Sequence, residues 1–190
     1  MKARESGMPP EGTWNAFFKP AEALATLGID RGVKDVADFG CGYGTFAIPA
    51  AKAVSGTVYA IDFEEEMTSA TAKKAAENGM HNVKALRRDL FTEGSGLPKN
   101  SVDFVLLFNI LHAERPETLL NEAHRILRPK GRIAIMHWIP DARTPRGPPM
   151  EIRPTPEQCI GWALKAGFAF PKQFDLKPFH YGIVMEKLDS

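Results

Sequence analysis

The chain has 190 residues, enough for one domain that buries its own core, and 24 Lys and Arg against 23 Asp and Glu leave a net charge of +1. Such a balance sets up no global field toward nucleic acid or anionic lipid, and the longest apolar run, Phe104 to Phe108, is too short to span a bilayer. The N-terminal MKARESGMPPEG lacks the apolar core of a signal peptide, and Cys41 and Cys159 have no spacing for zinc or a redox couple, so a cytoplasmic protein is expected.

Strand and helix patterns then alternate. Residues 20–28 read as a short helix, opened by Pro20 and closed by Gly28, with Leu24 and Leu27 inward. Val36 to Phe39 is an apolar strand running into glycines, and Thr45 to Val54 is a helix that tolerates Pro49 near its start. Thr57 to Asp62 is a β-branched and aromatic strand, Phe63 to Asn78 a helix closed by Gly79, and Asn82 to Leu86 a third strand. Asp103 to Asn109 is apolar nearly throughout, as a central strand covered on both faces should be. Glu117 to Leu127 places Leu119, Leu120, Ala123 and Leu127 on one helical face, and Pro129-Lys130-Gly131 turns the chain into a strand over Arg132 to Ile139. A proline-rich loop over 140–154 follows. Thr155, Pro156 and Gln158 predict a capping box that opens a helix ending at Gly167. Strands near 173–178 and 181–187 have no crossover helix between them and should pair antiparallel. The order predicts a single doubly wound, Rossmann-like α/β domain over 1–190, its mostly parallel seven-stranded sheet ending in an antiparallel hairpin.

Ligands of such sheets sit beyond the carboxyl ends of the strands, where the stretch DFGCGYGT (38–45) lies. Two readings compete. Gly42 to Ala47 fits a G-x-G-x-x-A dinucleotide cradle with Asp62 on a ribose, as in a nicotinamide-dependent oxidoreductase. That register gives Gly40 no role and sets the Asp38 carboxylate beside a pyrophosphate. The second reading uses Gly40, Gly42 and Gly44 together and lets Asp38 meet an ammonium group. Asp62 then accepts ribose hydroxyls, and Asp89 suits an adenine amino group.

This set, with the run Ile61-Asp62-Phe63-Glu64-Glu65-Glu66-Met67, resembles the class I S-adenosylmethionine-dependent methyltransferases. SVDFVLLFNILHA (101–113), EAHRILRPKGRIAI (122–135) and ALKAGF (163–168) resemble the small-molecule, type 11 or quinone-methyltransferase-like branch. RGPP (146–149) resembles a loop of small microbial members. The resemblance implies S-adenosylmethionine as methyl donor and S-adenosylhomocysteine as product. It places Gly40, Gly42 and Gly44 along the methionine part, Asp62 on the ribose, and Phe63 and Met67 near the adenine. Asp89 and Leu90 would lie beside the base and Asn109 beneath the sulfonium. It also implies that residues 1–32 form a lid, with Trp14, Phe17 and Phe18 over the cofactor, and that 140–154 is a substrate-side loop. A non-catalytic S-adenosylmethionine-binding protein would share these features.

Plainer roles stand beside these. Asp62 could cap the next helix, Asp89 could be a turn residue, Met67 and Cys41 could be core, and Glu64, Glu65 and Glu66 suit a helix's first turn. Among the histidines, His81 falls in a turn, His124 on the solvent side of its helix, and His180 opens the last strand. His112 and His137 lie at the functional rim and, with Tyr181, could shape or deprotonate an acceptor. Arg146 and Arg153 could bind an anionic acceptor group or be solvated loop arginines. The fourth strand lacks the Asn-Pro-Pro-aromatic run of amino-directed enzymes, and no cysteine cluster suits arsenic. A small-molecule partner is expected, with no nucleic acid or membrane partner, for a monomer or homodimer.

Overall fold

A computed structural model describes residues 10–141 and 143–188. Residues 1–9 of the expected lid, Ala142 of the proline-rich loop and the last two residues lie outside that set. The elements in chain order are α1 (Glu11–Asn15), α2 (Pro20–Thr26), β1 (Val36–Phe39), α3 (Ala47–Ala53), β2 (Val58–Asp62), α4 (Glu65–Glu77) and β3 (Val83–Arg87). Then come β4 (Val102–Phe108), α5 (Pro116–Ile126), β5 (Leu127–Trp138), a 3-10 turn (Met150–Ile152), α6 (Pro156–Lys165), β6 (Phe168–Leu176) and β7 (His180–Lys187). None of the helices among the described residues is long and apolar enough to cross a membrane.

Seven strands form one sheet in the order β3-β2-β1-β4-β5-β7-β6. The first five are parallel, and β7 runs antiparallel to both β5 and β6. The apolar runs of β1 and β4 are explained by position, since helices cover both faces there. Val36, Phe104 and Leu106 pack toward α2 and α3, while Ala37, Phe39, Val105 and Leu107 pack toward α5 and α6. At the amino end of the sheet Arg128 joins Asp35 (2.9 Å) and Asp103 (2.7 Å). The order reverses between β1 and β4, so their carboxyl ends frame the crevice where ligands of this architecture bind.

Three boundaries differ from the sequence reading. Leu127 already pairs with Val102, so β5 begins five residues early, and Pro129–Gly131 is an irregularity inside it where Lys130 adopts φ 62°. The edge strand β6 likewise begins at Phe168; a register shift between Ala169 and Lys172, with Phe170 at φ 54°, hides its alternation. The described part of the segment expected as a lid contains the short helix α1. The capping box of α6 forms as expected, with Thr155 Oγ1 accepting from the Gln158 N–H and Gln158 Oε1 from the Thr155 N–H.

Candidate functional site

The glycine loop is held by main-chain bonds that require left-handed backbone. Gly40, Gly42 and Gly44 have φ of 73°, 52° and 74°. The N–H groups of Gly40 and Cys41 both donate to Ile61 O (2.8 and 3.0 Å), drawing the loop across the end of β2. Thr71 Oγ1 donates to Gly42 O at 2.9 Å, and a Cβ at Gly44 would meet that same hydroxyl at 2.9 Å. Cys41 is buried, and burial followed by the Asp38 and Asp62 charges pushes its thiol well above the usual range, so it is filler rather than nucleophile.

Two carboxylates meet behind this loop. Asp62, at the end of β2, accepts from the Gly42 N–H (3.0 Å) and from the Glu64 N–H (3.1 Å), so it caps the glycine loop and the entry to α4 together. Burial raises its pKa against the lowering effect of those bonds. Asp38 is 2% exposed, and its Oδ2 has no hydrogen-bond partner among the described residues. Burial, and next the Asp62 charge, push Asp38 up to about 7. A buried acid of this kind costs several kcal/mol unless a cation or donor meets it. This pair of acceptors therefore fits an ammonium group at Asp38 and suits a nucleoside beside Asp62.

The remaining expected contacts lie along the same rim. Phe63 is exposed, Met67 and Leu90 are buried, and Asp89 accepts from the Phe91 N–H at 2.9 Å in a turn of its own. Asn109 follows β4 with φ 54°, and neither polar atom of its side chain has a partner among the described residues. A left-handed asparagine with an unpaired amide is the strained, under-satisfied residue expected at a ligand site.

The carboxyl ends of β4 and β5, and the amino end of the antiparallel β7 beside them, carry rings instead of acids. His112 Nδ1 lies 3.3 Å from His137 Nε2, and the rings meet edge-on. His137 is wholly buried, and its ring stacks over that of Tyr181, its cross-strand partner. Burial holds His112 near 4; His137 lies well below its ordinary value through burial and the neighbouring His112. On the other face of the hairpin His180 is clasped between Trp138 (4.3 Å) and Phe18 (4.7 Å), its Nε2 without a partner among the described residues. Phe17 and Trp14 complete this aromatic cluster against Trp138. His180 was noted from the sequence as the opening of the last strand, but its pairing with Trp138 was not foreseen, because that juxtaposition comes from β5–β7 register, which no local spacing reveals.

Two expected acceptor residues are committed elsewhere. Arg153 is 8% exposed and is neither a solvated loop arginine nor an open anion site. Its guanidinium donates to the carbonyls of Ile139 (3.0 Å), Asp141, Arg146 and Pro148 (2.8 Å) and to the Thr144 hydroxyl, so it staples the proline-rich loop. The Tyr181 hydroxyl donates to Pro154 O at 2.9 Å beside Cys159 Sγ, and burial raises its pKa far above any basic role. Arg146 is exposed, His81 is exposed, and His124 is half-buried edge-on to Phe168 instead of facing solvent.

The N-terminal segment ties onto the glycine loop. Thr45 Oγ1 donates to Asn15 Oδ1 at 2.8 Å, and Lys74 bridges Tyr43 O (2.7 Å) and the Glu11 carboxylate.

Comparison with known proteins agrees with this geometry. The methyltransferase domain family matches residues 36–131. Nocamycin O-methyltransferase of Saccharothrix syringae is 36% identical over 135 residues, covering 68% of this chain and 47% of that protein. Demethylmenaquinone methyltransferase of Geobacillus stearothermophilus is 31% identical over 113 residues, 58% of this chain and 47% of that protein. The chain thus spans about half the length of these curated relatives. The crystal structure of a SAM-dependent methyltransferase from Aquifex aeolicus matches with a TM-score of 0.81 at 28% identity, over 90% of this chain and 91% of that one.

Proposed function

Because the chain belongs to the methyltransferase domain family, we propose that it transfers a methyl group from S-adenosylmethionine to a small-molecule acceptor and releases S-adenosylhomocysteine. The observation that carries this reading is the buried, unpartnered Asp38 carboxyl at the head of a loop of three left-handed glycines. Asp38 would take the ammonium of the methionine part, and Gly40 to Gly44 would pass its backbone-sized chain. Asp62 would accept the ribose hydroxyls while keeping its bond to the Gly42 N–H, and Phe63, Met67, Asp89 and Leu90 would border the adenine. When bound, the sulfonium supplies an activated methyl for in-line displacement.

What the protein adds is alignment and exclusion of water. Asn109 lies between the two halves of the site, and Trp14, Phe17 and Phe18 would act as the lid. The O-methyltransferase and quinone methyltransferase names among the relatives support a small-molecule acceptor. A nicotinamide dinucleotide gains no support here, since its pyrophosphate would face two acids with no cation between them. Thermal-shift titration tests the reading: S-adenosylhomocysteine should stabilise the protein and NAD should not. Stabilisation by NAD alone would sink it.

A further inference from the structure

The two edges of the glycine loop are held by different elements. Its amides hang from β2, through the Gly40 and Cys41 N–H groups on Ile61 O and the Gly42 N–H on Asp62. The carbonyls of Gly42 and Tyr43 are held from α4: Thr71 Oγ1 donates to Gly42 O at 2.9 Å, and Lys74 to Tyr43 O at 2.7 Å. Lys74 keeps contact with water, whereas Thr71 is wholly buried. A helical threonine commonly turns its hydroxyl back on its own helix, as Thr68 does to Glu65 O at 3.1 Å. Thr71 spends its one proton on the loop instead. The other donor near Gly42 O among the described residues is the Cys41 thiol at 3.8 Å, a weak one.

This bond settles which way a peptide faces. Gly42, at φ 52°, has no Cβ to resist rotation, so the Gly42–Tyr43 peptide plane can turn over unless something holds it. Thr71 holds its oxygen toward α4. Because the peptide is trans, the Tyr43 N–H points the other way, and no acceptor among the described residues meets it. Helix α4 packs on β2 and β3, and the strand order is β3-β2-β1-β4, so the side away from α4 is that of the β1–β4 crevice. The Thr71 methyl meanwhile lies under Gly44, where an added Cβ would stand 3.0 Å from Cγ2.

We propose that Thr71 is a positioning residue of the transfer: its hydroxyl locks the Gly42–Tyr43 peptide so that the Tyr43 N–H, and not a carbonyl, meets the carboxylate of the donor's methionine part. This rests on the methyltransferase reading above. The Asp38 carboxyl and the Tyr43 N–H then match the ammonium and the carboxylate of one zwitterion. With the plane reversed, Gly42 O would face that carboxylate and repel it.

Calorimetry on the full chain with two ligands tests the lock: S-adenosylhomocysteine, and 5′-methylthioadenosine, which keeps the nucleoside and lacks the amino-acid end. Thr71→Val keeps the methyl under Gly44 and removes the donor. It should weaken S-adenosylhomocysteine about 5–10-fold and leave 5′-methylthioadenosine within about twofold. Thr71→Ser keeps the hydroxyl and should bind both ligands as the unsubstituted protein does. An equal loss on the two ligands, or no loss with valine, overturns the proposal. A serine variant as weak as the valine one also overturns it, since the methyl and not the hydroxyl would then be what matters. If Thr71→Val does not fold, hydrogen exchange at the Tyr43 amide of the unsubstituted protein decides. S-adenosylhomocysteine should slow it about tenfold or more and 5′-methylthioadenosine should not. Exchange that S-adenosylhomocysteine slows no more than 5′-methylthioadenosine does overturns the lock. Failure of the unsubstituted protein to bind S-adenosylhomocysteine at all instead removes the methyltransferase reading, and the proposal with it.

Discussion

Around β1 and β2 the site is made of main chain and carboxylates; around β5 and β7 it is made of rings and one stapling arginine. In the first region Asp62 at the end of β2 and Gly42 in the loop after β1 satisfy each other, and Asp38 Oδ2 has no hydrogen-bond partner among the described residues. In the second, rings from α1's flank, β5 and the β6–β7 turn pack on one another, and Arg153 binds five acceptors of the preceding loop. A region that holds a charged ligand can be built from a few short-range turns. A region that shapes an uncharged one has to be assembled from distant segments, because apolar shape is a property of packing.

The sharpest break between the two should come from Arg153→Ala. Four carbonyls and a hydroxyl lose their donor in a setting that is largely closed to water, and stability should fall by about 3 kcal/mol or more. Lysine should not restore it, since a single ammonium cannot span the same fork of acceptors. Urea unfolding checks the loss, and calorimetry with S-adenosylhomocysteine should show affinity within about twofold of the parent. A large fall in that affinity would mean that the two regions are one cooperative unit.

Asp62→Ala tests the other side. It removes the proposed ribose acceptor and also the partner of the Gly42 N–H, so S-adenosylhomocysteine affinity should drop about 100-fold or more. The His112–His137 contact should persist in the NMR spectra of the same variant. Loss of that contact would again join what the comparison separates.

The difference between the regions also explains what the sequence disclosed. DFGCGYGT was legible because turn chemistry is local, its left-handed glycines following directly on a strand, and Asp62 was legible as the acid that ends the next strand. The parallel order of strands was legible for a similar reason, since buried strands read as unbroken apolar runs. The place of Arg153 was not, because a loop arginine looks the same whether solvated or stapled until its carbonyls fold back on it. Nor was the pairing of His180 with Trp138 and Phe18, or the start of β6, where an edge strand with a bulge shows no alternation.

Asp38 links the regions to pH. Its folded pKa of about 7 lies above the unfolded value of 3.8, so the folded state binds this proton more tightly. Its contribution to stability is complete below the unfolded value and is lost as pH rises toward about 7, at about 1.4 kcal/mol per pH unit. Binding an ammonium runs the other way, because it needs the carboxylate. S-adenosylhomocysteine affinity should therefore rise about tenfold or more from about pH 5.5 to about pH 7.5, with Asp62 and the Cys41 thiol as the titratable neighbours. Asp38→Asn should flatten that rise while making the free protein more stable at about pH 8. A rise that survives the substitution would assign it to Asp62 instead.

The smallest effect should come from the tie between the lid and the glycine loop. Lys74 reaches from α4 to Tyr43 O and to Glu11 on α1, so one cation holds a loop carbonyl and a carboxylate of the proposed lid together. Both side chains retain contact with water, which limits the ion pair to about 0.5–1 kcal/mol. Lys74→Met keeps the stem and removes both bonds. The midpoint of unfolding should barely move, because α1 buries no residue of its own. Amide exchange in residues 11–18 should quicken by a factor of about 3–5, the equivalent of that small free energy. Glu11→Gln should give the α1 part of this effect and leave the Tyr43 carbonyl bond in place, so the two variants together divide the tie into its lid and loop components. If Lys74→Met speeds exchange no more than Glu11→Gln does, the loop bond adds nothing to the lid, and the acids and glycines of the first region stand without help from α1.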